Sequence, residues 1–249
     1  MRKIAVALSK GGVGKTTTAV NLAAGLALDG HRVLVVDMDT QGQVSKMLGV
    51  DAAPGLAEVS NGDLTLAEAV IPARENLYLL AGGAGLAGLK RLIARKDFGA
   101  ERTVAEAMTP LSEEYAYVVI DTAPGWDALT INALFYAQEV IAPVALEVLA
   151  LQGLLDFTNN LQTMQRYHPD LALTYILPTF MDRRVKKSAE IMGQLQTYFT
   201  DRICNPIRYN VRLSEAPGYG QTIFEYAPRS PGAEDYRSLT ERIARDGRS

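Results

Sequence analysis

A chain of 249 residues that is 48% hydrophobic and 21% charged is long enough for one large globular domain with a substantial core. Its formal net charge of −3 argues against a protein that is basic throughout, although a local basic patch is compatible with it. The single cysteine, Cys204, excludes an internal disulfide and a metal cluster held by cysteines of one chain. Because there is no run of 18 apolar residues and no signal peptide, we expect a cytoplasmic protein.

A glycine-rich loop follows the first predicted strand. Residues 3–8 predict a buried strand, residues 15–28 predict a helix, and residues 9–17 read Ser-Lys-Gly-Gly-Val-Gly-Lys-Thr-Thr. Glycines allow successive backbone N–H groups to point at a polyphosphate, and the helix adds its positive end. This order predicts a nucleotide site rather than a simple turn. The loop residues expected to contact the nucleotide are Gly11, Gly12, Val13, Gly14, Lys15, Thr16 and Thr17, whereas a lysine at the mouth of a loop, such as Lys10, is usually a solvated charge.

The end of the loop supplies three separate predicted contacts. Lys15 would contact the β- and γ-phosphates, Thr16 would offer its hydroxyl to Mg²⁺, and Thr17 could reach the α-phosphate. The pattern G-x-x-x-x-G-K-[ST] has glycine at its first position, where this chain has Lys10. That departure separates the loop from the ordinary form of the pattern.

Two later predicted strands end in carboxylates. Residues 33–36 are followed by Asp37 and Asp39, and residues 117–120 are followed by Asp121. Ligands of open α/β sheets bind where the parallel strands end, so these carboxylates should lie beside the loop. One carboxylate beside a triphosphate can order Mg²⁺ through water, and another can orient the attacking water. The Asp121 carboxylate, at the end of a buried strand, is expected to reach a water bound to Mg²⁺, and Asp37 and Asp39 could divide the two roles.

The segments between these motifs predict further elements in chain order. Residues 44–76 predict helices with breaks, and residues 77–80 predict a short strand. The glycine-rich residues 81–85 are interpreted as a loop rather than a second ligand site. A helix is predicted over roughly 100–114. These elements carry no chemistry of their own in the sequence.

The second half of the chain predicts two more buried strands and two helices. The strands cover residues 139–144 and 171–177, the two helices cover 188–199 and 236–245, and residues 132–137 are predicted to continue an earlier helix. The last helix has Leu239 and Ile243 on its inner face but is too weakly apolar for a membrane anchor. No stable membrane association is therefore expected.

Positive charge is concentrated just before the helix predicted at 188–199. The cluster consists of Arg183, Arg184, Lys186 and Lys187. It is compatible both with a solvated basic turn and with part of a surface that contacts the DNA backbone and is completed across a dimer. Arg208 and Arg212 are further basic candidates for the same surface.

The loop K-G-G-x-G-K-T-T resembles the deviant Walker A loop of the ParA/MinD ATPases, and Asp37-Met38-Asp39-Thr40-Gln41-Gly42 resembles the family's D-x-D-P-Q-G segment. The stretch from Asn210 to Ile223 resembles ParA rather than MinD. The resemblance implies that Lys10 crosses a nucleotide-sandwiched homodimer to contact the partner's ATP. It also implies that Asp39 is the hydrolytic residue and that Asp37 has an outer-sphere role at the metal.

Three further segments are similar to that family. Residues 143–153 resemble P-V-x-x-E-x-x-A-L-x-G, which implies that Glu147 lies at the dimer face and contacts the partner's ribose; a plain surface glutamate is the alternative. The turn that contains Asp182 resembles T-x-x-[DN], which implies a position beside the adenine. Arg208 and Asn210 stand in a segment that matches I-P-R-N without its proline, and the resemblance implies nucleotide contacts there.

The resemblance implies a doubly wound, mostly parallel twisted sheet with helices on both faces, forming one domain over residues 1–249 without a helix-turn-helix extension. It also implies an ATPase that uses ATP and Mg²⁺, is slow alone and binds nonspecific double-stranded DNA as a dimer. A ParB-like protein would stimulate it during partition of a plasmid or chromosome, and the ATP-bound form would associate with the nucleoid. Positioning of a protein cargo and a MinD-like membrane cycle are the alternatives.

Overall fold

The computed structural model describes residues 1–51, 54–111, 115–147, 149–182 and 184–247. Within these residues seven strands form one sheet in the order β3-β4-β2-β5-β1-β6-β7. All neighbouring pairs are parallel except β3 with β4, which is antiparallel. The strands are β1 (Arg2–Val6), β2 (Val33–Met38), β3 (Val70–Arg74), β4 (Leu77–Leu80), β5 (Tyr117–Thr122), β6 (Glu139–Ala145) and β7 (Ala172–Thr179).

Helices connect the strands and follow the last one. They are α1 (Lys15–Leu28), α2 (Gln43–Leu48), α3 (Leu56–Asn61), α4 (Leu66–Ala69), α5 (Leu86–Ile93), α6 (Thr103–Ala107), α7 (Ala128–Tyr136), α8 (Ala150–Gln165), α9 (Lys186–Phe199), α10 (Val211–Glu215), α11 (Ile223–Tyr226) and α12 (Pro231–Asp246). Short 3₁₀ turns cover Ala100–Arg102, Thr200–Arg202 and Ala216–Tyr219.

The sheet is covered on both faces, as predicted. Successive residues of β1 and the residue after it belong to different hydrophobic clusters: Ile4 and Val6 pack in one, and Ala5 and Ala7 pack in the other. Side chains alternate between the two faces of a strand, so the two clusters lie on opposite sides of the sheet. The first cluster contains the buried residues of α1 and α12, and the second contains those of α7 and α8. This confirms the doubly wound α/β fold.

The strand register brings the predicted functional residues to one edge of the sheet. Asp121 of β5 lies beside Val6 of β1 on one side and beside Asp37 of β2 on the other. The glycine-rich loop leaves β1 at the same edge, because the three strands run parallel. The central strands therefore deliver the loop and the carboxylates to a common place.

Two predicted helical segments differ from the structure. Residues 70–74 form the edge strand β3 and not a helix; β-branched residues favour a strand, and an edge position tolerates Pro72. The helix predicted over 100–114 is a 3₁₀ turn followed by α6, which ends at Ala107 shortly before Pro110. Residues 112–114 lie outside the described residues.

The last helix begins earlier than predicted and packs across α1. The Ser230 hydroxyl caps α12 by accepting a hydrogen bond from the Ala233 N–H, and Pro231 follows at the first helical position. Gly25 of α1 allows Thr240 of α12 to approach closely, since a Cβ at Gly25 would lie 2.3 Å from the Thr240 hydroxyl oxygen. None of the helices in the described ranges is long and apolar enough to cross a membrane.

Candidate nucleotide site

A cavity of about 440 Å³ opens at the carboxyl edge of the sheet. The loop after β1 contributes one wall through Gly11, Gly12, Gly14, Lys15, Thr16 and Thr17. The segment before and within α10 contributes another through Ile207, Arg208, Tyr209, Asn210, Leu213 and Ser214. The remaining lining residues are Asp39, Thr122, Pro124, Thr179, Phe180 and Tyr236. A volume of this size is in the range that holds a small organic ligand.

The loop has the backbone conformation that anion binding requires. Gly12 and Gly14 have φ angles of 70° and 90°, in the left-handed region that side-chain-bearing residues rarely adopt. Gly14 precedes α1, which has no side-chain cap and no acidic residue in its first turn. The first N–H groups of α1 therefore have no side-chain acceptor, and the positive end of the helix faces the cavity. Both features favour a bound phosphate.

Two side-chain hydrogen bonds, one from the end of β7 and one from the start of α1, hold the backbone of the loop. The Thr179 hydroxyl at the end of β7 donates to the Val13 carbonyl oxygen at 3.0 Å. The Lys15 ammonium donates to the Lys10 carbonyl oxygen at 2.8 Å. The Val13 side chain is buried, so only its backbone could contribute to a nucleotide contact.

Lys15 is a buried cation in the structure. Burial lowers the pKa of its ammonium, while the nearby charges of Asp121 and Asp39 act in the opposite direction. A phosphate in the cavity would add the negative charge that this buried ammonium needs.

Asp121 is the least satisfied polar group at the site. It is completely buried, and within the described residues neither carboxylate oxygen has a hydrogen bond of good geometry. Burial, followed by repulsion from Asp37, raises the pKa of this carboxyl well above its usual range, and the Thr16 hydroxyl only partly opposes that shift. The buried Asp121 carboxylate lacks a well-placed hydrogen-bond donor and lies near the Thr16 hydroxyl. A hydrated magnesium ion would supply that donor through a bound water and would accept the hydroxyl as a ligand.

Asp37 and Asp39 have different environments although only one residue separates them. The buried Asp37 carboxylate accepts hydrogen bonds from the Asp39 N–H at 2.9 Å and the Val44 N–H at 3.2 Å, and burial raises its pKa to about 6. It therefore clamps the loop between β2 and α2, and its outer-sphere metal role stays a prediction. Asp39 is half-buried and lines the cavity, and its carboxylate accepts from the Gln41 N–H at 3.0 Å.

The glycine-rich residues 81–85 form a loop, as predicted, and pack against this pair of aspartates. A Cβ at Gly82 would lie 2.5 Å from the Asp37 carbonyl oxygen. The Gly83 N–H donates to the Asp39 carbonyl oxygen at 3.0 Å. Close packing against the backbone therefore explains the glycines here.

Carboxylates of this chain do not form a complete metal cage in the described ranges, where no group of three His, Cys, Asp or Glu side chains could hold an ion. Magnesium in nucleotide sites usually takes one or two protein ligands and completes its shell with phosphate oxygens and water. Thr16 and Asp121 provide a set of that kind.

Lys10 lies beside Glu147 of its own chain. The lysine Nζ is 3.0 Å from the Glu147 Oε2, and both side chains are partly exposed, at 40% and 62%. An exposed ion pair of this kind contributes at most about 1 kcal/mol, so it can open at little cost. The structure thus brings together the two residues assigned to the dimer face, although it does so within one chain.

The predicted adenine-side residues are only partly brought to the cavity. Asp182 is not in the cavity wall; its carboxylate accepts two hydrogen bonds from the Arg184 guanidinium, which hold its pKa at about 2. Asn210 lines the cavity, its side-chain oxygen caps α10, and its Nδ2 has no partner among the described residues. The contacts of Asp182 and Asn210 with a nucleotide therefore stay predictions.

The basic candidates fall into two groups. Arg208 is held by Asp235 and Glu234, Arg212 pairs with Glu215, and Arg184 pairs with Asp182. Arg183 lies outside the described residues. Lys186 and Lys187 are exposed, and within the described part of the chain neither has an acidic partner.

Lys186 and Lys187 occupy the first turn of α9, which begins two residues before the predicted start. Cations at the positive end of a helix raise the local potential instead of neutralising it. An anion bound at the protein surface would offset the positive potential that the two lysines and the start of α9 create together. These two lysines are therefore the clearest remaining candidates for contact with a phosphate backbone.

Sequence reasoning missed several residues of the cavity wall. Thr122 and Pro124 directly follow Asp121, and Phe180 follows the strand β7, so position after a strand could have indicated them. Tyr209 stood within a recognised segment but was not assigned a contact. Tyr236 comes from α12, far along the chain; it belongs to a segment that resembles the C-terminal signature of ParA, but it was not assigned a contact.

Known proteins resemble the chain over nearly its whole length. A protein family described as an AAA domain matches residues 1–173. The chromosome-partitioning ATPase Soj of Thermus thermophilus is 39% identical over 98% of this chain and 95% of its own length. The sporulation initiation inhibitor protein Soj of Bacillus subtilis is 37% identical over 98% of both.

A solved structure shows the same architecture. Cobyrinic acid a,c-diamide synthase from Mycobacterium smegmatis, with bound ADP and magnesium, is 31% identical and superimposes with a TM-score of 0.86 over 100% of this chain and 96% of that one. The two Soj proteins match almost end to end at higher identity, and the chromosome partitioning protein ParA of Myxococcus xanthus is 36% identical over 96% of this chain and 86% of its own length. The chain therefore belongs to the AAA domain family and, within it, to the Soj/ParA group of chromosome-partitioning ATPases.

Proposed function

We propose that the protein hydrolyses ATP with Mg²⁺, pairs with a second copy around the bound nucleotide, and in that state holds duplex DNA without reading its sequence. The observation that carries this proposal is the cavity in which the uncapped end of α1, the buried Lys15 and the unpaired Asp121 lie together. Each of these groups needs an anion or a hydrated cation to be satisfied. A nucleotide triphosphate with its metal supplies both.

The residues that would hold magnesium are Thr16 directly and Asp121 through water. When bound, the ion neutralises charge on the β- and γ-phosphate oxygens. The related synthase from Mycobacterium smegmatis was solved with ADP and magnesium, which supports the same cofactors here. The carboxylate of Asp37 lies behind this pair and fixes the backbone that carries Asp39.

Hydrolysis would proceed by positioning more than by covalent chemistry. Asp39 lines the cavity, and its carboxylate is oriented by the Gln41 N–H, so it can accept a hydrogen bond from the attacking water. Lys15 and the N–H groups of α1 would stabilise the charge that develops on the phosphoryl oxygens. We expect turnover to be slow until a partner protein improves this alignment.

Lys10 would connect nucleotide binding to dimer formation. In the single chain its ammonium is held by Glu147. The triphosphate of a second copy carries more negative charge than one carboxylate, so it would compete effectively for the lysine. Breaking the exposed Lys10–Glu147 pair costs little. The ATP-bound dimer would thus form at the face where both residues lie.

Binding to DNA would follow from dimer formation. The net charge of −3 disfavours contact over the whole surface, whereas two copies of the Lys186 and Lys187 pair would concentrate positive charge. The chromosome-partitioning ATPase of Thermus thermophilus supports a role in segregating a chromosome. We propose that the cargo is a chromosome or a plasmid and that a ParB-like protein activates the ATPase. The ATP-bound form would then associate with the nucleoid.

We expect ATP to cause retention of nonspecific duplex DNA, and the Lys186→Ala/Lys187→Ala double variant to lose most of it. A dimer would lose four phosphate contacts, which should reduce the slope of log affinity against log salt concentration by roughly three to four. Retention is measured on immobilised duplex DNA with no nucleotide, ADP, or a nonhydrolysable ATP analogue across a salt series.

The matched control is Arg166→Ala/Arg245→Ala, which removes the same charge from exposed side chains toward the opposite edge of the sheet. This control should retain DNA almost as well as the parent protein. Equal losses in both double variants would show that only net charge matters. ATP turnover that requires cobyrinic acid, and no DNA retention in any nucleotide state, would favour the activity named for the Mycobacterium smegmatis protein instead.

A further inference from the structure

Two large aromatic side chains remain exposed in the wall of the nucleotide cavity. Phe180 is 41% exposed and Tyr209 is 65% exposed. Several other large apolar residues are exposed in the described part of the chain, but these two alone among them line the cavity. Removing the ring faces from water would be favourable, so a flat apolar ligand that covers them would gain binding free energy.

The backbone holds the two aromatic residues close to one another. The Met181 N–H donates to the Ile207 carbonyl oxygen, and the Tyr209 N–H donates to the Met181 carbonyl oxygen, both at 3.0 Å. Phe180 and Tyr209 thus flank a short parallel bridge between residues 181 and 208. They come from distant parts of the chain but reach the same wall.

Phe180 has a backbone conformation that normally carries a cost. Its φ angle is 57°, in the left-handed region that bulky residues rarely adopt. Strain of this kind persists where the surroundings enforce it, and it is frequent at ligand sites. The preceding residue, Thr179, is tied to the Val13 carbonyl oxygen of the phosphate-binding loop. The ring of Phe180 is therefore positioned relative to the loop.

Arg208, the charged residue in the bridge that Phe180 and Tyr209 flank, already has acidic partners. The guanidinium of Arg208 is hydrogen-bonded to Asp235 and Glu234, which raise its pKa further. It is therefore not available as the main group that faces a base. The accessible side-chain surface at this wall is therefore the two ring faces, because the unpartnered Nδ2 of Asn210 is buried beside Gly232.

We infer that Tyr209, together with Phe180, forms a stacking platform for the base of the bound nucleotide. This inference rests on the nucleotide binding in the proposed function and adds the residue that distinguishes a nucleotide from a bare phosphate chain. Stacking on an aromatic ring accepts any base, because every base has a π-face. The platform therefore increases affinity for nucleotides without selecting strongly between adenine and guanine.

The test compares ADP, GDP and inorganic pyrophosphate by isothermal titration calorimetry with magnesium present. We expect Tyr209→Ala to weaken ADP and GDP by a similar factor, on the order of tenfold, and to leave pyrophosphate unchanged. Tyr209→Phe keeps the ring and should bind all three like the parent protein. Phe180→Ala should show the same pattern as Tyr209→Ala.

The matched control is Tyr219→Ala, since Tyr219 is 70% exposed, stacks on Tyr226 and is not in the cavity wall. Unchanged ADP affinity in Tyr209→Ala, or an equal loss for ADP and pyrophosphate, would overturn the platform. A loss in Tyr209→Phe would also overturn it, because the hydroxyl would then be the group that acts. A parent protein that binds no nucleotide would contradict the proposed function itself, whereas absent DNA retention would leave the platform standing.

Discussion

Asp39→Ala should reduce ATP turnover by about 100-fold or more while nucleotide binding persists. The reason is its position: Asp39 lines the cavity with its carboxylate oriented by the Gln41 N–H, but it is not among the residues of the phosphate-binding loop. Removing it would leave Lys15, Thr16 and the start of α1 in place. Phosphate release under saturating ATP and equilibrium binding of a nonhydrolysable ATP analogue measure the two effects separately.

Lys15→Ala is the comparison for that variant. Lys15 is buried in the loop and lies where the phosphates would bind, so its removal should weaken binding and turnover together. Asp156→Ala, on the exposed surface of α8, is the control for loss of an aspartate elsewhere. If Asp39→Ala left turnover unchanged while Lys15→Ala abolished it, Asp39 would not be the residue that orients the water.

Asp121→Asn should stabilise the nucleotide-free protein and inactivate it at the same time. The carboxylate is completely buried without a good hydrogen bond from the described residues, and burial and Asp37 raise its pKa. Replacing this charge by a neutral amide should raise the free energy of unfolding by about 1 to 3 kcal/mol. Turnover should fall strongly, because the amide attracts a metal-bound water less than a carboxylate does.

The stabilisation in Asp121→Asn should depend on pH in a defined direction. A raised pKa in the folded state means that the cost of the charged form is fully present above that pKa. As pH falls, the folded protein takes up the proton first, and the cost disappears as pH approaches the unfolded value near 4. The difference in unfolding free energy between variant and parent should therefore shrink from pH 8 to pH 5.

Urea unfolding at several pH values, without nucleotide, checks this prediction. Thr240→Ser, which lies in the α1–α12 contact and away from the carboxylates, should give a pH-independent difference from the parent protein. A variant Asp121→Asn that is less stable than the parent at pH 8 would show that the buried carboxylate has a stabilising partner.

Much of the fold could be predicted because the central strands are continuous apolar runs. The segments before Asp37 and Asp121 are buried on both faces, so their sequence leaves little alternative to parallel strands. The edge strand β3 could not be distinguished from a helix in the same way. Its residues 70–74 are only partly buried, and it contains Pro72.

The meeting of the loop, the start of α1 and the strand-end aspartates at one edge of the sheet was predictable, because short motifs and local chain order determine it. The opposite wall of the cavity was not, because it depends on contacts between distant segments such as Met181 with Ile207 and Tyr209. The pairing of Lys10 with Glu147 inside one chain was also not predictable, because it depends on where the segment before α8 lies relative to the loop.

The mass of the protein in solution, measured by sedimentation with ADP and with a nonhydrolysable ATP analogue, is the direct test of pairing through Lys10. We expect the parent protein to sediment as a single chain with ADP and as a dimer with the analogue. Lys10→Ala should stay a single chain in both conditions while it still binds the analogue. A Lys10→Ala protein that forms the dimer as readily as the parent would contradict the mechanism, because the ammonium now held by Glu147 would then have no part in joining two copies.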